Sequence, residues 1–213
     1  MNSSRIEAIV FDYGGVLSLF QDEQSWSAIL DVLGVTSETA RPVFWLHRHE
    51  YDRGDIDGVE FWSRVTSDLG VKVEPSRFAL LIGLDSMSWS RLNTALLAWA
   101  LALPDAGRRI GICSNMPNEL TEDLLERRHW LTRFEHVVAS CRIGVNKPDP
   151  VIFTRFIDLF DLPAERIAFI DDSQQNVDGA RAVGIQSIVF RTNRELAQDL
   201  ARLDASLPEG PRA

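Results

Sequence analysis

Five apolar runs of strand length recur along the chain: AIVF, RIGICS, HVVAS, RIAFID and SIVF. Runs that are apolar at consecutive positions, not only at alternate ones, suit strands buried on both faces. Helical patterns lie between them. The stretch from Leu92 to Leu103 is apolar almost all round, Asn118 to Arg127 and Val151 to Phe160 are amphipathic, and Asn176 to Val183 is followed by Gly184, a helix stop. Strands alternating with helices need right-handed crossovers and a sheet whose neighbours run parallel.

The expected fold is therefore α/β: a Rossmann-like, mostly parallel sheet with helices on both faces. One interval breaks the alternation. Between Leu17 and about Ser90 no segment reads as a strand, and the helix-like stretches there carry Trp26, Phe44, Trp45, Phe61 and Trp62. This predicts a small all-helical unit at residues 19–88, inserted into a core made of residues 1–18 and 89–213. Trp26, Trp45 and Trp62 are expected to form its apolar centre. GDIDG, Gly54 to Gly58, reads as a turn inside it, with Asp57 capping the next helix. The tail DASLPEGPRA is expected to fray.

Charge narrows the partners. The net charge of -9 argues against a general affinity for nucleic acid or an anionic membrane, since either needs a basic face. The two cysteines, Cys113 and Cys141, are too few for a disulfide framework, and the N-terminus has no secretory pattern, so a cytoplasmic protein is expected. The longest apolar stretch, around ALLAWALAL, falls short of the roughly 20 residues of a membrane span and is followed by PDAG. The oligomeric state is open.

Open parallel sheets bind ligands at the carboxyl ends of their strands. There the runs deliver Asp12, Ser114 with Asn115, Lys147, and Asp171 with Asp172. Singly, these are common turn and cap residues. Together they suit a phosphate ester bound with Mg²⁺. Asp12 would be the nucleophile, and a hard cation held by Asp12, Asp171 and Asp172 would cancel its repulsion from the phosphate. Lys147 would balance the remaining charge and hold one phosphate oxygen, while Ser114 and nearby N–H groups, with Asn115 beside them, bind another. An aspartyl-phosphate would form and then be hydrolysed by water.

The order FDYGGVL, ICSN, NKPDPVIF and IAFIDDSQQNVDGARAVG resembles the four motifs of the haloacid dehalogenase-like (HAD) hydrolase superfamily, from Ile9 to Gly184. The resemblance implies Asp12 as nucleophile, Ser114 and Lys147 as the second-motif hydroxyl and third-motif lysine, and Asp171 with Asp172 as metal-binding acids. It also implies a metal ligand in the Gly14 carbonyl and a specificity-setting cap in the helical insertion. RGDIDGVEFW is similar to caps of a subgroup whose first motif reads FDxG, resembling bacterial sugar-1-phosphate phosphatases.

Most phosphatases of that superfamily carry a second aspartate where Gly14 stands, which protonates the leaving group. Its absence argues against a mutase. It fits a phosphatase of a small metabolite with an acidic leaving group, or one that borrows a proton from water or from the cap, where His49, Glu50, Asp52 and Asp55 are candidates on what reads as an exposed polar turn. It also fits a metal-independent 2-haloacid dehalogenase, but Asp171 and Asp172 then have no purpose. A non-catalytic binding protein on the same scaffold is the third alternative.

Overall fold

The computed structural model describes residues 5–211. All five apolar runs form strands: β1 (Ala8–Phe11), β2 (Arg109–Ser114), β3 (His136–Ala139), β4 (Ile167–Asp171) and β5 (Gln186–Val189). They make one sheet in the order β3-β2-β1-β4-β5, with every pair parallel. In the central strand β1, Phe11 is in register with Ile112 on one side and Ile170 on the other. The chain fills one side of β1 first and crosses over between β3 and β4. That reversal opens a crevice at the carboxyl ends of β1, β2 and β4.

Helices α1 (Glu23–Leu33), α2 (Ser37–Arg53), α3 (Gly58–Asp68) and α4 (Phe78–Ser88) lie between β1 and β2, followed by α5 (Thr94–Ala102). Further along come α6 (Asn118–Arg127), the short α7 (Ser140–Ile143), α8 (Pro150–Phe160), α9 (Gln174–Ala182) and α10 (Asn193–Leu203). Strand alternation sorts the core into two layers. Ile9, Phe11, Ile110 and Ile112 pack with Leu96 and Trp99 of α5 and with Leu196 and Leu200 of α10. Ala8, Val10, Cys113 and Phe169 face the other way, onto Phe153, Phe156 and Phe160 of α8.

Helices α1 to α4 share a third apolar cluster of their own. The Phe44 ring stands edge-on to Trp26 at 5.4 Å and to Phe61 at 5.3 Å, and Tyr51 stacks on Phe61 at 4.5 Å. Asp57 caps α3, accepting from the Glu60 N–H at 2.8 Å. The chain leaves for these helices and returns side by side. Leu19 donates to the Arg91 carbonyl at 2.7 Å, and Asn93 to the Leu17 carbonyl at 2.9 Å. Among the described residues no helix is long and apolar enough to cross a membrane.

Three expectations need correction. Trp45 is 44% exposed and does not join Trp26 and Trp62 in the helical cluster. On α2 the core-facing place belongs to Phe44, and adjacent helix residues point in different directions. Asp52 is buried, not on an exposed turn, because it pairs with Arg48 one helical turn earlier. The described part of the tail is pinned as well. Asp204 accepts the Ile6 N–H at 2.8 Å, and the Arg108 guanidinium donates to the Ser206 hydroxyl at 2.9 Å.

Candidate active site

Asp12 stands where β1 ends. Its N–H still donates to the Ile170 carbonyl at 2.8 Å, which holds the residue against β4. Its carboxylate accepts the Tyr13 N–H at 2.7 Å and faces the Lys147 ammonium at 2.9 Å. Lys147 arrives from the segment after α7, and its Nζ also reaches Asp171 at 2.6 Å and the Cys113 carbonyl at 3.0 Å. Its side chain is 1% exposed. A buried ammonium needs such partners, and here it has three.

Asp171, the last residue of β4, has no exposed surface. Besides Lys147 it accepts the Ser173 N–H at 2.8 Å and the Asn176 side-chain amide at 3.0 Å. Ser173, not either aspartate, caps α9. Asp172 points into the crevice. A Cβ on Gly15 would lie 2.7 Å from its Oδ2, and Gly15 has φ +75°, so glycine serves both the turn and the close approach there. Asp12, Asp171 and Asp172 each offer an oxygen within 4.8 Å of the others.

The electrostatics follow from burial. Removal from water pushes the Asp12 carboxyl up to about 7, with Asp171 adding to the rise and Lys147 and the Ser114 hydroxyl opposing it. Asp172 is also raised, first by burial and then by Asp171. Burial pulls Lys147 down, but Asp12 and Asp171 outweigh it and hold the ammonium charged. Three carboxylates thus face one lysine. Oxygen ligands of this number and charge fit a hard divalent cation such as Mg²⁺.

Ser114 ends β2, is buried, and lines the same cavity of about 530 Å³ as Asp12, Gly14, Asn115, Lys147 and Asp172. Asn115 clamps the lysine backbone, accepting the Lys147 N–H at 2.8 Å and donating to its carbonyl at 3.1 Å. Over Gly14 stands Trp89: a Cβ there would be 3.2 Å from the indole ring. Asp12, Gly14, Ser114, Asn115, Lys147, Asp171 and Asp172 therefore all lie in or beside one crevice. Asn176 joins them, and its spacing after Asp171 in DDSQQN is the signal in the sequence for its hydrogen bond. Phe20, Gln21, Trp45 and Trp89, which also line the cavity, carry no local pattern that would mark them.

The helical insertion forms the outer wall of this cavity and is tied to the core at several points. Asn146 donates to the His49 carbonyl at 2.8 Å, the Ser140 hydroxyl to the Asp52 carbonyl, and the Gly58 N–H to Glu119 at 2.6 Å. Of the proton-donor candidates, His49 and Asp52 line the cavity. Glu50 and Asp55 are paired with Arg64 and Arg53.

Residues 6–184 match the profile of the haloacid dehalogenase-like hydrolases. The chain is 24% identical over 199 residues to the sesquiterpene phosphatase astK of Aspergillus oryzae, covering 92% of this chain and 96% of that one. It is 24% identical over 207 residues to the drimenol cyclase drtB of Aspergillus calidoustus, covering 96% of this chain but spanning only 38% of that longer protein. A HAD family enzyme from Bacteroides thetaiotaomicron has a TM-score of 0.75 at 19% identity, covering 92% of this chain and 99% of that one. A wild-type complex of that enzyme with magnesium and inorganic phosphate has a TM-score of 0.71 at 19% identity, covering 87% and 94%. At such identities the structural likeness establishes the fold.

Proposed function

The chain belongs to the haloacid dehalogenase-like hydrolase family, and from that premise we propose that it is a Mg²⁺-dependent phosphomonoesterase acting on a small phosphorylated metabolite through an aspartyl-phosphate at Asp12. The carrying observation is the trio Asp12, Asp171 and Asp172, within 4.8 Å of one another. Halide displacement needs one nucleophilic carboxylate; the other two make sense with a cation. A relative named as a phosphatase and a structural relative holding magnesium with phosphate support the same reading.

Asp12, the Gly14 carbonyl, Asp171 and Asp172 would hold the cation. When bound, it supplies charge neutralisation between the attacking carboxylate and the phosphate. Asp12 forms the new O–P bond as the ester P–O bond breaks and its electron pair leaves with the alcohol oxygen. Lys147 opposes the rise that burial gives Asp12 and offsets charge on the phosphoryl group, and the Ser114 hydroxyl donates to one of its oxygens. Asn115 acts on Lys147 by fixing its backbone. Water then releases phosphate and regenerates Asp12. The insertion at 19–88 serves as a cap that limits water and shapes the substrate pocket. With glycine at position 14 in place of a second carboxylate, protonation falls to water or to a cap group such as His49, so acidic leaving groups are favoured.

The test is turnover of p-nitrophenyl phosphate and of 2-chloropropionate, each with Mg²⁺ and with EDTA. Phosphate release that EDTA abolishes is expected. Chloride release insensitive to EDTA would instead establish a dehalogenase and refute the phosphatase reading.

A further inference from the structure

Beyond the phosphate-binding end, the cavity is walled by Phe20, Trp45, Trp89, Met116 and Leu120. Phe20 is 68% and Trp45 44% exposed, large apolar surfaces that face open space and not the protein's interior. Singly exposed apolar residues are ordinary, but here they gather around one concave site. Glu23 and His49 line it at the exposed rim, and the two arginines of the same wall are engaged elsewhere. The Arg48 guanidinium is held by Asp52 at 2.7 Å and Asp85 at 2.8 Å. Arg41 donates to the Ser37 hydroxyl at 3.2 Å and lies over the Trp26 ring at 4.7 Å. Among the described residues, the Gln21 amide is the buried wall group whose oxygen and nitrogen both lack a partner.

A site built for a polyol presents several convergent, unengaged donors and acceptors, because each buried hydroxyl must be satisfied. The surface this cavity presents is mainly apolar. We propose that the esterified group of the substrate is a predominantly apolar body, aliphatic or aromatic, which lies against Phe20, Trp45 and Trp89 with the buried Gln21 amide as a polar contact. This rests on the phosphomonoesterase reading for the phosphate end alone. It departs from the sugar phosphate that the sequence resemblance implies.

The experiment is calorimetric binding of straight-chain alkylphosphonates, methyl to octyl, to the full chain with Mg²⁺, alongside glucose 6-phosphate. Phosphonates cannot be hydrolysed at phosphorus, so binding is read apart from turnover. Affinity is expected to rise about two- to fourfold per methylene until the cavity is filled. Glucose 6-phosphate is expected to bind no better than methylphosphonate. Phe20→Ala with Trp45→Ala should flatten the slope, while the wild-type series decides the matter even if that variant folds poorly. A flat wild-type series, or glucose 6-phosphate binding more tightly than octylphosphonate, would overturn the proposal. Mg²⁺-dependent release of phosphate from acetyl phosphate, which has almost no organic body, reports separately on the phosphatase reading. Its failure beside a steep binding series would sink that reading and leave the apolar pocket standing.

Discussion

Position 14 shows how one residue choice spreads to its neighbours. Glycine there leaves out a carboxyl group, and Trp89 occupies the adjoining space, 3.2 Å from where a Cβ would lie. The Tyr13 hydroxyl donates to the Trp89 carbonyl at 2.8 Å and fixes that backbone. Gly14→Asp alone is therefore expected to gain little, because the new carboxyl meets the indole. Combined with Trp89→Ala it should, relative to Trp89→Ala alone, raise turnover of poor leaving groups by about tenfold or more and barely change good ones. Equal gains across a series of aryl and alkyl phosphates would show that proton donation is not what limits the enzyme. At the nucleophile, Asp12→Asn is expected to reduce phosphate release at least about a thousandfold. Its melting temperature should stay near that of the wild type, since Lys147 keeps Asp171 and the Cys113 carbonyl. Residual turnover above that level would remove Asp12 from the proposed role. The carboxylates were legible in the sequence because they stand at the ends of apolar runs, and Lys147 because it comes a few residues after HVVAS, in NKPDP. Trp89 was not, because its place over Gly14 depends on how the chain re-enters the core.

Helix α2 carries a buried ion triad that ties it to α4. Arg48 bonds Asp52 on its own helix, and Asp85 on α4, with side-chain exposures of 3% for the arginine and 2% for Asp85. Burial pushes both carboxyls up, and Arg48 opposes that rise. Two acids and one base out of water are stable only while the geometry holds. Arg48→Met is expected to destabilise the protein by about 3–5 kcal/mol, as it leaves two buried acids without a counter-charge. Arg48→Lys should recover only part of this, because an ammonium cannot reproduce the guanidinium's several directed donors. Chemical denaturation decides it, and a loss below about 1 kcal/mol for Arg48→Met would mean that the acids simply protonate. The spacing of Arg48 and Asp52 is visible in the sequence as a helical pair. Asp85 lies on another helix, and no local rule joins it to them. The same limit explains Trp45: helical periodicity identifies α2, but an aromatic-rich segment does not reveal which ring faces the cluster and which faces the cavity.

For the molecule as a whole, the fold was legible because the apolar runs are long enough to be strands and too continuous to be half-exposed ones. Their order was not. That β1 is central and β4 crosses to its far side depends on contacts between distant segments, and periodicity carries none of that. The C-terminus makes the same point. A polar, proline- and glycine-containing tail reads as loose, yet Asp204 accepts the Ile6 N–H at 2.8 Å and the Ser206 N–H and hydroxyl at 2.8 and 2.7 Å. The two ends of the described chain therefore meet just before β1 begins. Burial pushes the Asp204 carboxyl up, but the Ser206 hydroxyl and the Ser206 and Ile6 N–H groups outweigh it and hold the group below its ordinary value. A depressed acid stabilises the fold above the unfolded value of about 3.9, and that contribution disappears as pH falls through the folded one. Asp204→Ala is thus expected to cost about 1–3 kcal/mol near neutral pH. The gap between wild type and variant, measured by denaturant unfolding, should narrow steadily below about pH 4. A gap that stays constant into stronger acid would assign the tail's anchoring to packing around Asp204 and not to its charge.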